Sequence, residues 1–431
     1  MYKLTEEQDR ILYTDAEESR SAYLPKKNCI GIFETGNPEA VRAEDIRKLV
    51  TEPVGKSRKL SEIAREKNAK TACIIISDAT RGVPTDRVAP YLMEELAAGG
   101  IPAEKVVFVV ALGVHRDADE EEMRSFLGEL YGKVRIENHD AFSEEKLVFL
   151  GETSRHTPVR VNRTVRESDL VVTVGKVELH DMAGFSGGRK SILPGVASEE
   201  TIVINHRPEM MVDPASYAGN LEGNPIHLDM VETARMCGVD YSVNIVMNQA
   251  YEIAGIFSGD LEESHEAAAE FLKSFCRVEL PERPDIIVTC PGQPLSINMY
   301  QGVKALFAFH RLADSGTTVI LYGDFWEGVN STDFIEPFRR YPDLEELKDY
   351  VWANYEIQMD HIIPIREMLV KGVRVIVVSE HVSREEIEAF HMEKAETLQE
   401  ALDRALAECP SEIPRAAFCP QSYRCIWNVK E

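Results

Sequence analysis

Residues 175–206, GKVELHDMAGFSGGRKSILPGVASEETIVINH, hold more chemistry than any other stretch of the chain. His180 and His206 can exchange protons near neutral pH or ligate a metal. Lys190 can serve as a nucleophile or as a compact positive charge. Between the two histidines, the run GFSGGRK from Gly184 to Lys190 sets Gly187 and Gly188 beside Ser186, Arg189 and Lys190. Glycines let backbone N–H groups approach an anion closely, and polar and cationic side chains add to such a site. A phosphate-bearing ligand fits this composition. The spacing is neither the GxxxxGK[ST] of a P-loop nor the GxGxxG of a dinucleotide site. For the loop taken alone, a Gly-rich turn with solvated Arg189 and Lys190 is the plain alternative.

Two further groups sit in equivalent places. The run TACIII (71–76) leads into Asp78-Ala79-Thr80-Arg81, and KVVFVVALG (105–113) leads into His115 and Arg116. A guanidinium such as that of Arg81 is shaped to hold a carboxylate or phosphate in a fork. Asp78 and Thr80 could equally cap the helix expected at 85–98. A lone His115 would read as a cap or a packed ring, but Arg81 and His180 stand at matching positions, which favours convergence on one cleft. His139 and His156 receive no role, and His265 reads as a surface or interface residue. In the last third, CPGQPL (290–295) leads into Tyr300, Gln301 and Lys304, and Tyr300 and Lys304 share one helix face.

The elements that must position these groups follow from periodicity. The runs at 71–76, 105–113 and 169–175 are short, apolar and β-branched, as buried parallel strands are. His180 should therefore lie just beyond a strand's carboxyl end, where open α/β sheets place their chemistry. Strands are also expected at 28–33, 134–140, 241–247 and 251–257. After the Pro281-Glu-Arg-Pro284 linker, a second series has strands at 285–289, 317–322 and 373–378 and helices at 296–312, 344–369 (broken near Pro364) and 383–389. The fold class is α/β: two α/β domains with mostly parallel sheets and an interdomain active-site cleft. The expected domains are 1–280, carrying the histidines, and 281–409, carrying the substrate-binding residues, with the tail at 410–431 packing back on the first.

Composition agrees with such a chain. Its 431 residues are 44% hydrophobic and 28% charged, enough for two or three cores. A net charge of −25 argues against a nucleic-acid partner, which needs a clustered basic face. The start MYKLTEEQDR lacks the apolar core of a signal peptide, and no apolar run is long enough to cross a bilayer, so the cytoplasm is expected and no membrane partner. The 8 cysteines show no CxxC or metal-knuckle spacing and are expected to be buried, reduced thiols.

The specificity lies in the whole string. His180, the run from Ala183 to Lys190, Ile192, Leu193-Pro194-Gly195 and the pair Asn205-His206 resemble the signature of the nickel-pincer-nucleotide-dependent lactate racemase family. The resemblance covers roughly residues 30–378. It implies an isomerase, a racemase or epimerase of a 2-hydroxy acid, with nickel and pyridinium-3,5-bisthiocarboxylic acid mononucleotide (nickel pincer nucleotide) tethered to Lys190. On that pattern His206 is the protein ligand to the metal, suited to a square-planar nickel whose other donors come from the cofactor. His115 and His180 are the acid/base pair, one for each face. Asp78, Ala79, Thr80 and Arg81, with Ser186, Gly187 and Gly188, would hold the cofactor. Arg81, Tyr300, Gln301 and Lys304 would hold the substrate. The cofactor accepts a hydride from C2 and returns it. Partners would be the 2-hydroxy acid and cofactor-maturation enzymes.

The chain departs from the pattern at Leu112-Gly-Val114, where the family commonly has a Thr-Gly-Thr-like run, at Tyr355, where tryptophan is typical, and at Pro291-Gly-Gln-Pro294. These changes point to a substrate with a C3 substituent larger than lactate's methyl. Two other readings compete: a phosphate-ligand zinc metalloenzyme using His115, His180 and His206, and a non-catalytic nucleotide-binding homologue. Lys190 beside the glycines serves only the tethered-cofactor reading.

Overall fold

A computed structural model describes residues 2–17 and 19–430. The chain divides into two units, one spanning Asn37–Phe275 and the other joining the chain up to Gly36 with the chain from Cys276 onward. Both are α/β units with parallel sheets.

In the first unit six strands form one sheet: β1 (Ala72–Ser77), β2 (Val106–Ala111), β3 (Arg135–Asn138), β4 (Leu170–Lys176), β5 (Tyr241–Met247) and β6 (Ile253–Gly259). Their spatial order is β3-β2-β1-β4-β5-β6. All pairs are parallel except β5 with β6. The chain lays down β1, β2 and β3 outward, then returns to place β4 on the other side of β1. The β1/β4 seam is thus the switch point, where the connections leave in opposite directions and open a crevice at the carboxyl ends.

The apolar runs form strands because both faces are covered. Along β1, Ile74 and Ile76 face one core with Leu92 and Leu96, while Cys73 and Ile75 face another with Val171, Ile192 and Val196. Ile192 and Val196 belong to the chemistry-rich stretch, so that stretch anchors itself on the sheet.

The second unit corrects the expected domain boundaries. Its six-stranded parallel sheet runs in the order Glu393–Ala395, Arg374–Val378, Thr318–Tyr322, Ile286–Thr289, Ala416–Phe418 and Cys29–Ile32. Residues 281–409 alone would leave Ile286–Thr289 as an open edge. The tail and the strand at Cys29 fill it, satisfying backbone groups that an edge leaves unpaired. Three strands near the start of the chain, Lys3–Glu7, Arg10–Thr14 and Ser21–Pro25, make an antiparallel sheet on this same unit. Tyr13 pins it there, stacked on Phe418 at 4.2 Å and bonded to the Tyr322 hydroxyl at 2.7 Å. The strand Ile426–Val429 likewise pairs with Arg277–Leu280 rather than with the first unit.

The helix expected at 344–369 is two, Leu344–Ala353 and Ile362–Val370, and the break precedes Pro364. Proline is tolerated in a first turn because its missing N–H has no partner there. All eight cysteines are free thiols, and six are buried. Among the described residues no helix is long and apolar enough to cross a membrane.

Candidate functional site

Three strands that are neighbours in the sheet, β2, β1 and β4, deliver the candidate residues of the first unit from their carboxyl ends. After β1, Asp78 opens a tight turn over Ala79–Arg81. Its Oδ1 accepts from the Thr80 backbone N–H at 2.9 Å and hydroxyl at 2.5 Å. Its Oδ2 lies 2.6 Å from His115 Nδ1, which the end of β2 brings alongside. Burial would raise the Asp78 carboxyl, but the hydrogen bonds from His115 and Thr80, with the Arg81 charge, outweigh it and hold the pKa below the usual value. An ionised Asp78 takes the proton of Nδ1 as its hydrogen bond and leaves the His115 lone pair on Nε2. His115 is 41% exposed, open to a ligand. Arg81 is exposed, and no ion pair holds it among the described residues.

After β4 the chain turns through a two-residue hairpin, with Leu179–His180 antiparallel to Gly184–Phe185. His180 is half-buried. Its Nδ1 faces the Asp181 carboxylate at 3.1 Å and the backbone N–H groups of Ala183 and Met182 at 3.2 and 3.4 Å. Its Nε2 lies 3.1 Å from Lys190 Nζ. The Gly113 N–H donates to Gly195 O at 2.9 Å, which ties the β2 end to the same loop.

Several residues expected to contact ligand serve the loop's shape instead. The Ser186 hydroxyl donates to Lys176 O and accepts from the Glu178 N–H, both at 2.8 Å, closing the hairpin. Arg189, expected to offer a cation to the ligand, is 1% exposed. It donates to Ala183 O at 2.8 Å and to His265 Nε2 at 2.7 Å, and more weakly to Ser186 O and Gly187 O. No carboxylate pairs with it among the described residues, and burial pushes its pKa down to about 9. His265, expected at a surface, is 2% exposed. Burial, reinforced by the Arg189 charge, drives its pKa well below the ordinary value and keeps it neutral, so Nε2 can accept from the guanidinium.

The glycines answer the same packing. At Gly187, with φ +79°, a Cβ would meet Val177 Cγ2 at 2.6 Å, and at Gly188, with φ +50°, it would meet the His265 ring at 3.1 Å. Close approach of the loop to protein is enough to require glycine at both positions.

His206 ends the short helix Glu199–Asn205 and its Nδ1 donates to Ile202 O at 2.9 Å, which puts the lone pair on Nε2. Asn205 is fully buried and donates to Asp229 Oδ2 at 2.8 Å. Asp229 also accepts from the Thr153 and Thr157 hydroxyls at 2.5 and 2.7 Å. This network is scattered over 77 positions and has no local sequence signal. His139 bonds Ala197 O at 2.9 Å and braces the loop's far end.

Tyr300, Gln301 and Lys304 belong to the other unit, on the helix Met299–Phe307. The Tyr300 hydroxyl donates to Asp360 at 3.2 Å, while Gln301 and Lys304 are half-buried. Of the substituted positions, Leu112 is 3% exposed inside the first unit's core. The Tyr355 ring packs on its own unit's core. Val114 is partly exposed beside His115, Tyr355 is partly exposed, and in the 291–294 turn Gln293 and Pro294 are exposed. Among the described residues no group of three or more His, Cys, Asp or Glu side chains is gathered to hold a metal ion, so His115, His180 and His206 do not form the ligand set a zinc site needs.

Comparison with known proteins covers both units. A family model described as the lactate racemase N-terminal domain matches residues 16–219, and one described as the lactate racemase C-terminal domain matches residues 281–414. The chain is 33% identical over 371 residues to the lactate racemase of Lactiplantibacillus plantarum, covering 84% of this chain and 86% of that protein. It is 31% identical over 390 residues to the lactate racemase of Thermoanaerobacterium thermosaccharolyticum, covering 88% and 90%. The solved lactate racemase apoprotein from the latter organism superposes over 100% of both chains with a TM-score of 0.86 at 27% identity. A Thermotoga maritima protein shares the fold, with a TM-score of 0.66 and 18% identity, covering 92% of this chain and 100% of its own.

Proposed function

The chain belongs to the lactate racemase family and is an isomerase, and on that footing we propose that it racemises a small 2-hydroxy acid by removing and returning hydride at C2 on a nickel pincer nucleotide tethered to Lys190. The observation that carries this reading is the pair of histidines delivered to one edge of a parallel sheet, at its switch point: His115 with Nδ1 on the Asp78 carboxylate, so that Nε2 is its working nitrogen, and His180 with Nδ1 held between the Asp181 carboxylate and the Ala183 N–H.

The residues fit the group. Its nickel needs one imidazole from the protein, and His206 has Nδ1 committed to Ile202 O, the arrangement by which a second partner orients a metal-binding histidine. With no protein cluster of three ligands among the described residues, the other donors would come from the nucleotide. Lys190 stands beside His180, ready to carry the link. When bound, the nickel nucleotide supplies a hydride acceptor at C2.

The chain's own residues do the rest. His115 Nε2 takes the substrate's hydroxyl proton on one face, and Asp78 both orients the ring and stabilises the imidazolium that forms. His180 does the same on the other face, with Asp181 on its Nδ1. Two bases are needed because a racemase must return the proton on either side. Asp78, assigned to the cofactor on the family pattern, is better placed to serve His115, since both of its oxygens are occupied there. Arg81 is the fork for a carboxylate or phosphate. Gln301 and Lys304, half-buried on one helix, remain the assignment for the substrate carboxylate, with Tyr300 bracing that helix against Asp360.

With Leu112 in the core, the case for a larger C3 substituent rests on Val114, Tyr355 and the turn at 291–294, and lactate leads the panel of substrates. The test is expression with the cofactor-synthesis proteins. The chain should gain mass at Lys190, bind about one nickel, and interconvert single enantiomers of lactate or a close homologue on a chiral column. Nickel retained in full by Lys190→Ala, or loaded protein that leaves every enantiomer unchanged, would overturn the proposal.

A further inference from the structure

His206 stands where a fold holds a side chain least firmly, at the end of a helix of only 7 residues, Glu199–Asn205. A helix so short does not keep its own last turn from fraying. We propose that Asp229 is the positioning residue that prevents this, gripping the neighbouring Asn205 so that the His206 imidazole keeps one direction toward the metal. This rests on the reading of His206 as the protein's ligand to nickel.

The grip falls on the right residue. Asn205 is the last of that helix and is fully buried. Its Nδ2 donates to Asp229 Oδ2 at 2.8 Å and only distantly to Ile226 O, at 3.5 Å. Its own Oδ1 is buried and has no donor among the described residues. Turning the amide over would set that oxygen against a carboxylate, so the side chain has one orientation and Asp229 decides it. The bond from His206 Nδ1 to Ile202 O, at 2.9 Å, reaches back one turn and survives only while that turn stays wound.

Asp229 is itself firmly seated. It is 0% exposed, and the hydroxyls of Thr153 and Thr157 hold its two oxygens at 2.5 and 2.7 Å. It rides on the helix Pro225–Cys237, which at 13 residues is nearly twice as long. The residue that caps this helix, Asn224, donates to Met182 O at 2.7 Å, beside the turn that carries His180. One helix therefore carries the bonds that fix both the His180 hairpin and the end on which His206 sits.

The far end of the short helix is fastened separately. Ser198 caps it, and the Thr201 hydroxyl donates to Pro158 O at 2.6 Å. Loss of the Asp229 bond thus loosens the His206 end, while loss of the Thr201 bond loosens the other.

The experiment compares Asp229→Asn, which keeps the side chain's size, with Thr201→Val, which weakens the same helix away from His206. Asn205→Ala removes the other half of the Asp229 bond, should match Asp229→Asn, and replaces it if that protein does not fold. In cofactor-free full-length protein with isotope-labelled histidine, NMR of the ring nitrogens should show His206 as a single Nδ1–H tautomer in wild type and Thr201→Val, and as a mixture in Asp229→Asn. In protein loaded by co-expression, a chelator should draw nickel from Asp229→Asn at least about tenfold faster than from wild type or Thr201→Val, the scale for losing a group that orients a metal-binding histidine. An Asp229→Asn protein that keeps the single tautomer or holds nickel as wild type does, or a Thr201→Val protein that matches it in either measurement, would overturn the inference. Wild-type protein that takes up no nickel removes the reading of His206 as ligand, and the tautomer comparison then decides this one alone.

Discussion

The turn after β1 and the underside of the glycine loop use the same residue types to opposite ends. At the turn, a histidine and a carboxylate meet at 2.6 Å with the ring 41% exposed, so a ligand can reach His115. Under the loop, Arg189 and His265 meet at 2.7 Å with both side chains buried, so none can reach them. The first pair is open to a ligand; the second is a rivet. The lesson is that in GFSGGRK two residues of chemical appearance, Ser186 and Arg189, hold the loop's shape, while Lys190 meets the half-buried His180.

The comparison breaks most visibly at the exposed pair. In loaded enzyme, His115→Ala and His180→Ala should each keep nickel yet lose on the order of 10²–10⁴-fold in kcat, the usual contribution of a positioned proton-transfer group. Full-rate racemisation by either variant, followed by chiral chromatography, would remove that residue from the two-face assignment.

The rivet should fail differently. Arg189→Met leaves several buried carbonyls and His265 without a donor, at a cost of about 1–3 kcal/mol to stability, the scale for a buried acceptor left unsatisfied, since the buried charge is removed with it. Denaturant midpoints of the cofactor-free protein measure this. A variant as stable as wild type would mean that the loop does not depend on the guanidinium.

A smaller effect tests the support of His115. Asp78→Asn keeps the shape but gives up the charge that stabilises the imidazolium, so kcat should fall by about tenfold or more with nickel content unchanged. Because Asp78 is held ionised below the usual carboxylate range, the loss should persist as pH falls toward that range. A loss of nickel with no change in the pH profile would return Asp78 to the nucleotide.

Acid should sharpen the contrast further. His265 stacks at 6.2 Å on His227, whose pKa burial pushes down to about 3. Both pKa values are depressed in the fold, so their neutral forms contribute full stability above the ordinary histidine value. Below it the unfolded chain binds protons that the fold refuses. Stability should therefore decline as pH falls from about 6.5 toward 4.5, on the order of 1.4 kcal/mol per pH unit for each histidine. That window lies above the carboxylate range, so Asp78 is silent in it. Urea melts of wild type and of His227→Gln at pH 7 and 5 measure the difference, and identical slopes would rule out His227 as the source.

The smallest effect concerns the substrate. Val114→Ala should shift the preference between lactate and its next homologue by roughly 1–3 kcal/mol per methylene if the side chain touches C3. No shift would leave the substrate to residues of the other unit.

Much of the site was legible in the sequence. Asp78, His115, His180 and Lys190 each follow a short apolar β-branched run, and adjacency of those strands in the sheet puts them on one edge. The rest was hidden by distance along the chain. Arg189 and His265 are 76 positions apart, and nothing local distinguishes a buried arginine from a solvated one. His265 lies in a helix with acidic residues in its first turn, and its inward direction depends on what packs there.

The sequence by itself determined the elements and the motif, because periodicity and backbone preference are local and survive being read one window at a time. Tertiary structure decided which groups are charged and which can move a proton, since burial and partners come from segments far away in the chain. It also decided the unit boundaries. An edge strand such as Ile286–Thr289 recruits whichever segment satisfies its backbone: here the tail strand Ala416–Phe418 does so, and Cys29–Ile32 then pairs with the tail, although none of the three is adjacent to another in sequence.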